Sequence, residues 1–130
     1  MKNKKILMLL PNGFRPDPRV LYEARSLVNN GFKVKILAWD RNRDLPKREY
    51  RQGIIVERIQ IGIPFIKVNN PLLLLLLFWF KVLFKVLKFN FSVIHCHDFN
   101  TLPIGFTIGK LRRKKIIFDA HESYSEMHKG

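Results

Sequence analysis

Between Phe91 and Glu122 the sequence runs FSVIHCHDFNTLPIGFTIGKLRRKKIIFDAHE: two short β-branched runs, each closing in polar residues, separated by a helical stretch containing Pro103, Gly105 and Gly109. Strand, helix and strand in that order make a β-α-β unit, whose two strands lie parallel in one sheet. Both polar ends, His95-Cys96-His97-Asp98 and Asp119-Ala120-His121-Glu122, then fall on the same edge. The carboxyl edge of an open α/β sheet is where loops and helix N-termini open, and where ligands bind. The chemistry is therefore expected there.

The preceding residues extend the same pattern. Lys5 to Leu10 is a continuous apolar run bounded by lysines and by Pro11-Asn12-Gly13, as a buried parallel strand requires. Its apolar core, Ile6 to Leu10, is too short for a signal-peptide hydrophobic region and leads into Arg15-Pro16-Asp17 rather than a small-residue cleavage site. Asp17 is placed to cap a helix with Pro18 in its first turn. Val20, Leu21, Ala24, Leu27 and Val28 recur at helical spacing, and Asn30-Gly31 ends the helix. Phe32 to Trp39 reads as a second strand, Asp40 to Gln52 as a polar surface loop, and Ile54 to Ile61 as a third, partly exposed or edge strand. The last helix is expected to begin near Asn100 or Thr101 and to end in the basic run Lys110 to Lys115, where cations favour the helix C-terminus.

Pro71 to Phe89 has a different character. Leu72 to Phe80 contains no polar residue, and Lys81, Lys85 and Lys88 then recur in one stripe. A helix from Leu72 to Leu87 would be about 24 Å long, short of the hydrocarbon core of a bilayer. Two readings stay open: a core helix whose lysines reach water, and an interfacial helix with Trp79 and the lysines at a membrane boundary. No acidic residue occurs between Glu57 and Asp98, which suits an anionic leaflet.

With 130 residues the chain forms one domain. Its net charge of +14 implies an anionic partner, without choosing among nucleic acid, membrane and phosphorylated substrate. The aromatic residues sit in hydrophobic runs and no nucleic-acid-binding signature is present, so nucleic acid is not expected as a partner. Cys96 is the only cysteine, which excludes an intrachain disulfide and a Cys-based zinc site and fits a reducing cytosol. The loop Pro11 to Arg19 lacks G-x-G-x-x-G, and its prolines remove N–H donors, so a dinucleotide cofactor is not expected. The loop can still offer Gly13, Arg15 and a helix N-terminus to an anionic or polyol ligand, while an ion pair with Asp17 or Glu23 is the plainer role for Arg19. His95, His97, His121 and Asp98 carry donor atoms suited to zinc, but nothing in the sequence makes them converge, and no metal is expected. Asp98 and Glu122 could act as acid or base only if buried.

Two blocks, KILMLLPNGFRPDPRVLYEARSLVNNGFKVKILAWD and VIHCHDFNTLPIG followed by KKIIFDAHESYSE, resemble the N-terminal domain of family 4 glycosyltransferases. The resemblance implies a Rossmann-like parallel sheet with flanking helices, one of two domains facing each other across a cleft. The N-terminal domain binds the acceptor and the C-terminal domain most of the nucleotide-sugar donor. By the same resemblance His121, with Glu122, faces the donor sugar, and Asn12, Gly13, Arg15, Asp17, Arg19, His97 and Asp98 line the acceptor side of the cleft. Trp79, Lys81, Lys85 and Lys88 would contact an anionic membrane surface, as in members that act on lipid-linked acceptors. The implied activity is retaining transfer to a cell-surface glycan or glycolipid, with no cofactor beyond the nucleotide-sugar co-substrate. The implied location is the inner face of the plasma membrane, peripheral and cytoplasmic. Family chains are longer and carry a donor domain with a paired-glutamate motif. The 130 residues are thus expected to be one incomplete N-terminal domain, inactive alone: a fragment, a truncated reading frame, or half of a split enzyme whose donor domain is a separate partner. The competing classes are a non-enzymatic basic membrane-surface binding module and a small metal-dependent hydrolase.

Overall fold

A computed structural model describes residues 4–11, 14, 18–40, 43, 45–61, 70–97 and 101–119. In chain order these form β1 (Lys5–Leu10), α1 (Pro18–Asn29), β2 (Lys33–Trp39), β3 (Arg48–Arg51), β4 (Ile54–Ile59), α2 (Pro71–Leu87), β5 (Val93–His97), α3 (Leu102–Arg112) and β6 (Lys115–Asp119). The strands make one sheet in the order β3-β4-β2-β1-β5-β6, parallel throughout except for the antiparallel pair β3–β4. This is the mostly parallel, helix-flanked sheet of a Rossmann-like α/β fold.

Alternation along the buried strands divides the core in two. Ile6, Met8, Leu10, Val34, Ile36 and Ala38 pack with Val20 and Ala24 of α1 on one face. Leu7, Leu9, Leu37, Ile94 and Cys96 pack with α2 and α3 on the other. α2 buries Phe78, Val82 and Val86, each worth about 2 kcal/mol of apolar burial, and Trp39 stacks on Phe78 with ring centroids 4.7 Å apart. α3 sits closest to the sheet. A Cβ on Gly105 would overlap the Cys96 sulfur, and one on Gly109 would overlap Ile116, so only glycine permits this approach.

Two expectations need correction. The stretch read as a loop before Ile54 contains β3, whose alternation Arg48-Glu49-Tyr50-Arg51 carries no apolar run to betray it; the positive φ of Gln52 (51°) and Gly53 (85°) closes a tight hairpin. β3, not β4, is thus the outer strand on that side. The basic run Lys110 to Lys115 is not all helix end: Arg113 takes a left-handed cap conformation (φ 55°, ψ 45°), and Lys115 already begins β6.

Candidate functional site

The chain leaves β1 toward β2 on one side and, after β4, returns to pair β5 on the other side of β1. The order of connection therefore reverses between β1 and β5, and the crevice at their carboxyl ends is the natural ligand site of such a sheet. Leu10 and His97 close the two strands there, and β5 and β6 pair so that His97 stands opposite Asp119. The described ends of the two strands, His97 and Asp119, thus lie on one edge, as their order in the chain predicts.

Buried polar groups brace this edge. The Arg58 side chain is 2% exposed; its Nη2 donates to the Phe14 carbonyl at 2.9 Å, and its Nη1 donates to Pro46 O at 3.1 Å and lies 2.8 Å from Glu49 Oε1. Phe14, after β1, is thereby tied to the end of β4 and the hairpin. Asp40 Oδ2 accepts from Leu45 N and Gln60 Nε2, each at 2.9 Å, which ties Leu45 and the end of β4 to the end of β2. Thr101 Oγ1 donates to His97 O at 2.8 Å, which links the end of β5 to the start of α3.

His95 and His97, two apart on β5, share a face as their spacing predicts, with ring centroids 4.2 Å apart. His95 pairs in register with Met8, placing both imidazoles on the α1 side, and both are buried. The third member is Glu23 of α1: one ligand atom from each of Glu23, His95 and His97 lies within 4.8 Å of the others. Two imidazoles and a carboxylate are a donor set that zinc can use while keeping an open position. By sequence alone Glu23 stands out only as an ion-pair partner for Arg19. The signal that finds it is helical: it follows Val20 by three and precedes Ala24, on the face that α1 turns to the sheet. Cys96, between the histidines, points to the opposite face, and burial pushes its thiol up to about 12 against a smaller opposing effect of a Thr101 hydrogen bond.

Of the cleft residues expected from sequence, His97 is buried at the end of β5 and Arg19 is exposed in the first turn of α1. Asn12, Gly13, Arg15, Asp17, Asp98, His121 and Glu122 lie outside the described residues.

On α2, Trp79 is half-buried against the core, while Lys81, Lys85 and Lys88 are exposed. Lys81 Nζ donates to Gln60 O at 3.0 Å, and Lys85 Nζ lies 2.9 Å from Glu57 Oε2, so two lysines of the stripe reach back to the β4 side. A separate stripe of Leu72, Leu76, Phe80, Phe84 and Leu87 faces outward, with Phe84 67% exposed. Nearby on α3, Phe106 and Leu111 are exposed as well. Among the described residues no helix is long and apolar enough to cross a membrane.

Comparison with solved structures finds sucrose-phosphate synthase from Thermosynechococcus elongatus, with a TM-score of 0.69 and 14% identity, over 92% of this chain. The chain spans 33% of the length of that enzyme. A second structure of the same enzyme matches with a TM-score of 0.64 and 14% identity, over 95% of this chain and 68% of that one. At this identity the likeness is one of fold. No curated protein sequence matches. The family model for Glycosyltransferase Family 4 matches residues 19–130. With most of its length under that model and with the Rossmann-like sheet in place, the chain belongs to Glycosyltransferase Family 4.

Proposed function

We propose that this chain is the acceptor-side domain of a retaining glycosyltransferase. It moves a sugar from a nucleotide-sugar donor to a cell-surface glycan or lipid-linked acceptor while resting on the inner face of the plasma membrane. The observation that carries the lipid-side reading is the outward stripe Leu72, Leu76, Phe80, Phe84 and Leu87 on a helix whose opposite face is already buried in the core. A domain that leaves such a face open on a chain of net charge +14 suits an anionic, apolar surface.

In this reading the crevice between β1 and β5 receives the acceptor. The acceptor hydroxyl oxygen forms the new bond to the anomeric carbon, the donor's C–O bond breaks, and the nucleoside diphosphate leaves with that electron pair, its phosphate oxygen taking up the proton that the acceptor hydroxyl loses. Donor-domain backbone and cations would stabilise the leaving phosphates, so the reading requires no metal. His121 and Glu122 face the donor sugar, and Asn12, Gly13, Arg15, Asp17, Arg19, His97 and Asp98 line the acceptor side. In this reading a donor domain supplies the nucleotide-sugar site, and residues 1–130 by themselves are expected not to turn over.

Sedimentation with anionic vesicles tests the membrane half. Phe80→Ser/Phe84→Ser should abolish binding, and Lys81→Ala/Lys85→Ala/Lys88→Ala should weaken it. Equal binding by the phenylalanine variant would sink α2 as the anchor. Turnover of any nucleotide sugar by this polypeptide alone would overturn the acceptor-side assignment. The cluster of Glu23, His95 and His97 favours a second reading, a metal-dependent hydrolase. Stoichiometric zinc in the purified protein, lost in His95→Ala, would support that reading over the first.

A further inference from the structure

The C-terminal ends of α2 and α3 come together at the amino edge of the sheet, away from the crevice. Between them lies a hollow of about 460 Å³ lined by Leu87, Lys88, Phe89, Asn90, Arg112 and Lys114. We propose that this hollow binds the phosphate of an anionic phospholipid headgroup, a proposal that rests on the reading of α2 as a membrane-resting helix.

Three of the six lining residues are cations and none is an acid. Two further ammonium groups approach the Phe89 ring, Lys5 Nζ at 5.7 Å from its centroid and Lys35 Nζ, itself paired with Glu57, at 4.6 Å. The two helix C-termini bring negative charge of their own, about half an elementary charge each, which the three cations exceed, and cap N–H groups take several of the terminal carbonyls. Lys88 N donates to Lys85 O, Phe89 N to Val86 O, Arg113 N to Lys110 O and Lys114 N to Gly109 O. Arg112 Nη1 donates to Phe89 O at 3.1 Å, which orients the guanidinium at the rim.

The occupant follows from what surrounds the hollow. Leu87 belongs both to its wall and to the exposed apolar stripe, and is 61% exposed. Leu111, on α3, is exposed beside Arg112. A ligand with a phosphate for the cations and an acyl region for the apolar stripe matches both halves, and free phosphate matches only one. The hollow would thus fix which end of α2 lies deepest among the headgroups and so orient the crevice relative to the membrane.

The test compares vesicles of phosphatidylcholine with vesicles containing phosphatidylglycerol. Wild type, Lys88→Gln/Lys114→Gln and a charge-matched control, Arg25→Gln/Lys47→Gln, are sedimented with each. Arg112 is left intact because it also supports the fold, and thermal melting verifies that each variant is folded. The wild type should prefer phosphatidylglycerol vesicles. The pocket variant should lose roughly 30-fold in partitioning to them, and the control, on α1 and before β3, should lose much less. An equal loss in the control, no loss in the pocket variant, or no preference of the wild type for phosphatidylglycerol would each overturn the headgroup site. Wild type binding to neither vesicle would instead overturn the membrane reading of α2 itself.

Discussion

Lys85 of α2 and Glu57 of β4 meet at 2.9 Å, and Lys35 of β2 stands 3.6 Å from the same carboxylate. One acid thus fastens the outer helix to two strands of the sheet. Burial raises the Glu57 pKa, but the Lys85 hydrogen bond and the charges of Lys35, Lys85 and Arg48 outweigh it, and the carboxyl sits below its ordinary range. A carboxylate depressed in the folded state stabilises the protein above the unfolded value, near 4.3, and loses that contribution as the pH falls through the folded value. Glu57→Gln should therefore cost about 2 kcal/mol at neutral pH. In urea titrations across pH, the gap between wild type and variant should close on the acid side. A gap that stays constant down to the lowest pH at which the protein folds would contradict this.

Gly105 presses its backbone on the Cys96 sulfur, leaving no room for a methyl group. Gly105→Ala should destabilise the chain by about 1 to 3 kcal/mol through overpacking, although alanine is the better helix former. Combining it with Cys96→Ala removes the obstructing sulfur and should recover part of the loss. Chemical denaturation of the two single variants and the double variant gives the coupling.

Cys96 should be inert in the folded chain. Its thiol is fully buried and held near 12, so the thiolate is scarce at pH 8 and screened from reagent. Iodoacetamide is expected to leave the native protein unmodified and to label it stoichiometrically in urea, as read by mass spectrometry. Labelling of the native protein as fast as in urea would show that α3 does not cover the strand.

Asn70 starts α2 by accepting from Leu72 N at 3.0 Å and Leu73 N at 3.4 Å through its Oδ1. Asn70→Ala should cost about 1 kcal/mol, whereas Asn70→Asp, which keeps the acceptor, should cost much less. Thermal melts of the two variants distinguish a capping role from mere surface exposure, for which both would match the wild type.

The parallel strands were legible because buried runs such as Lys5–Leu10 and Val93–His97 are continuous and bounded by turn residues. α1 was legible from its periodic face and its Gly31 stop. β3 was hidden because an outer strand of charged residues looks like a loop until its partner is known. The lysine stripe was visible as a spacing, but spacing does not say that two of its members bond to β4. Glu23 was likewise visible as a helix residue and invisible as a neighbour of His95 and His97.

What the sequence alone determined is local and periodic: the alternation of strand and helix, the polar strand ends, the exclusion of disulfides, and the family motifs. These follow from side-chain period and turn chemistry within a few residues. The tertiary structure decided which of those pieces meet. Reversal of the sheet between β1 and β5 made a crevice of two strand ends, packing of α1 brought Glu23 to the imidazoles, and docking of α2 by Lys85 and Glu57 turned one apolar face inward and left the other open. Such meetings depend on contacts between residues far apart in the chain, and no local pattern encodes them.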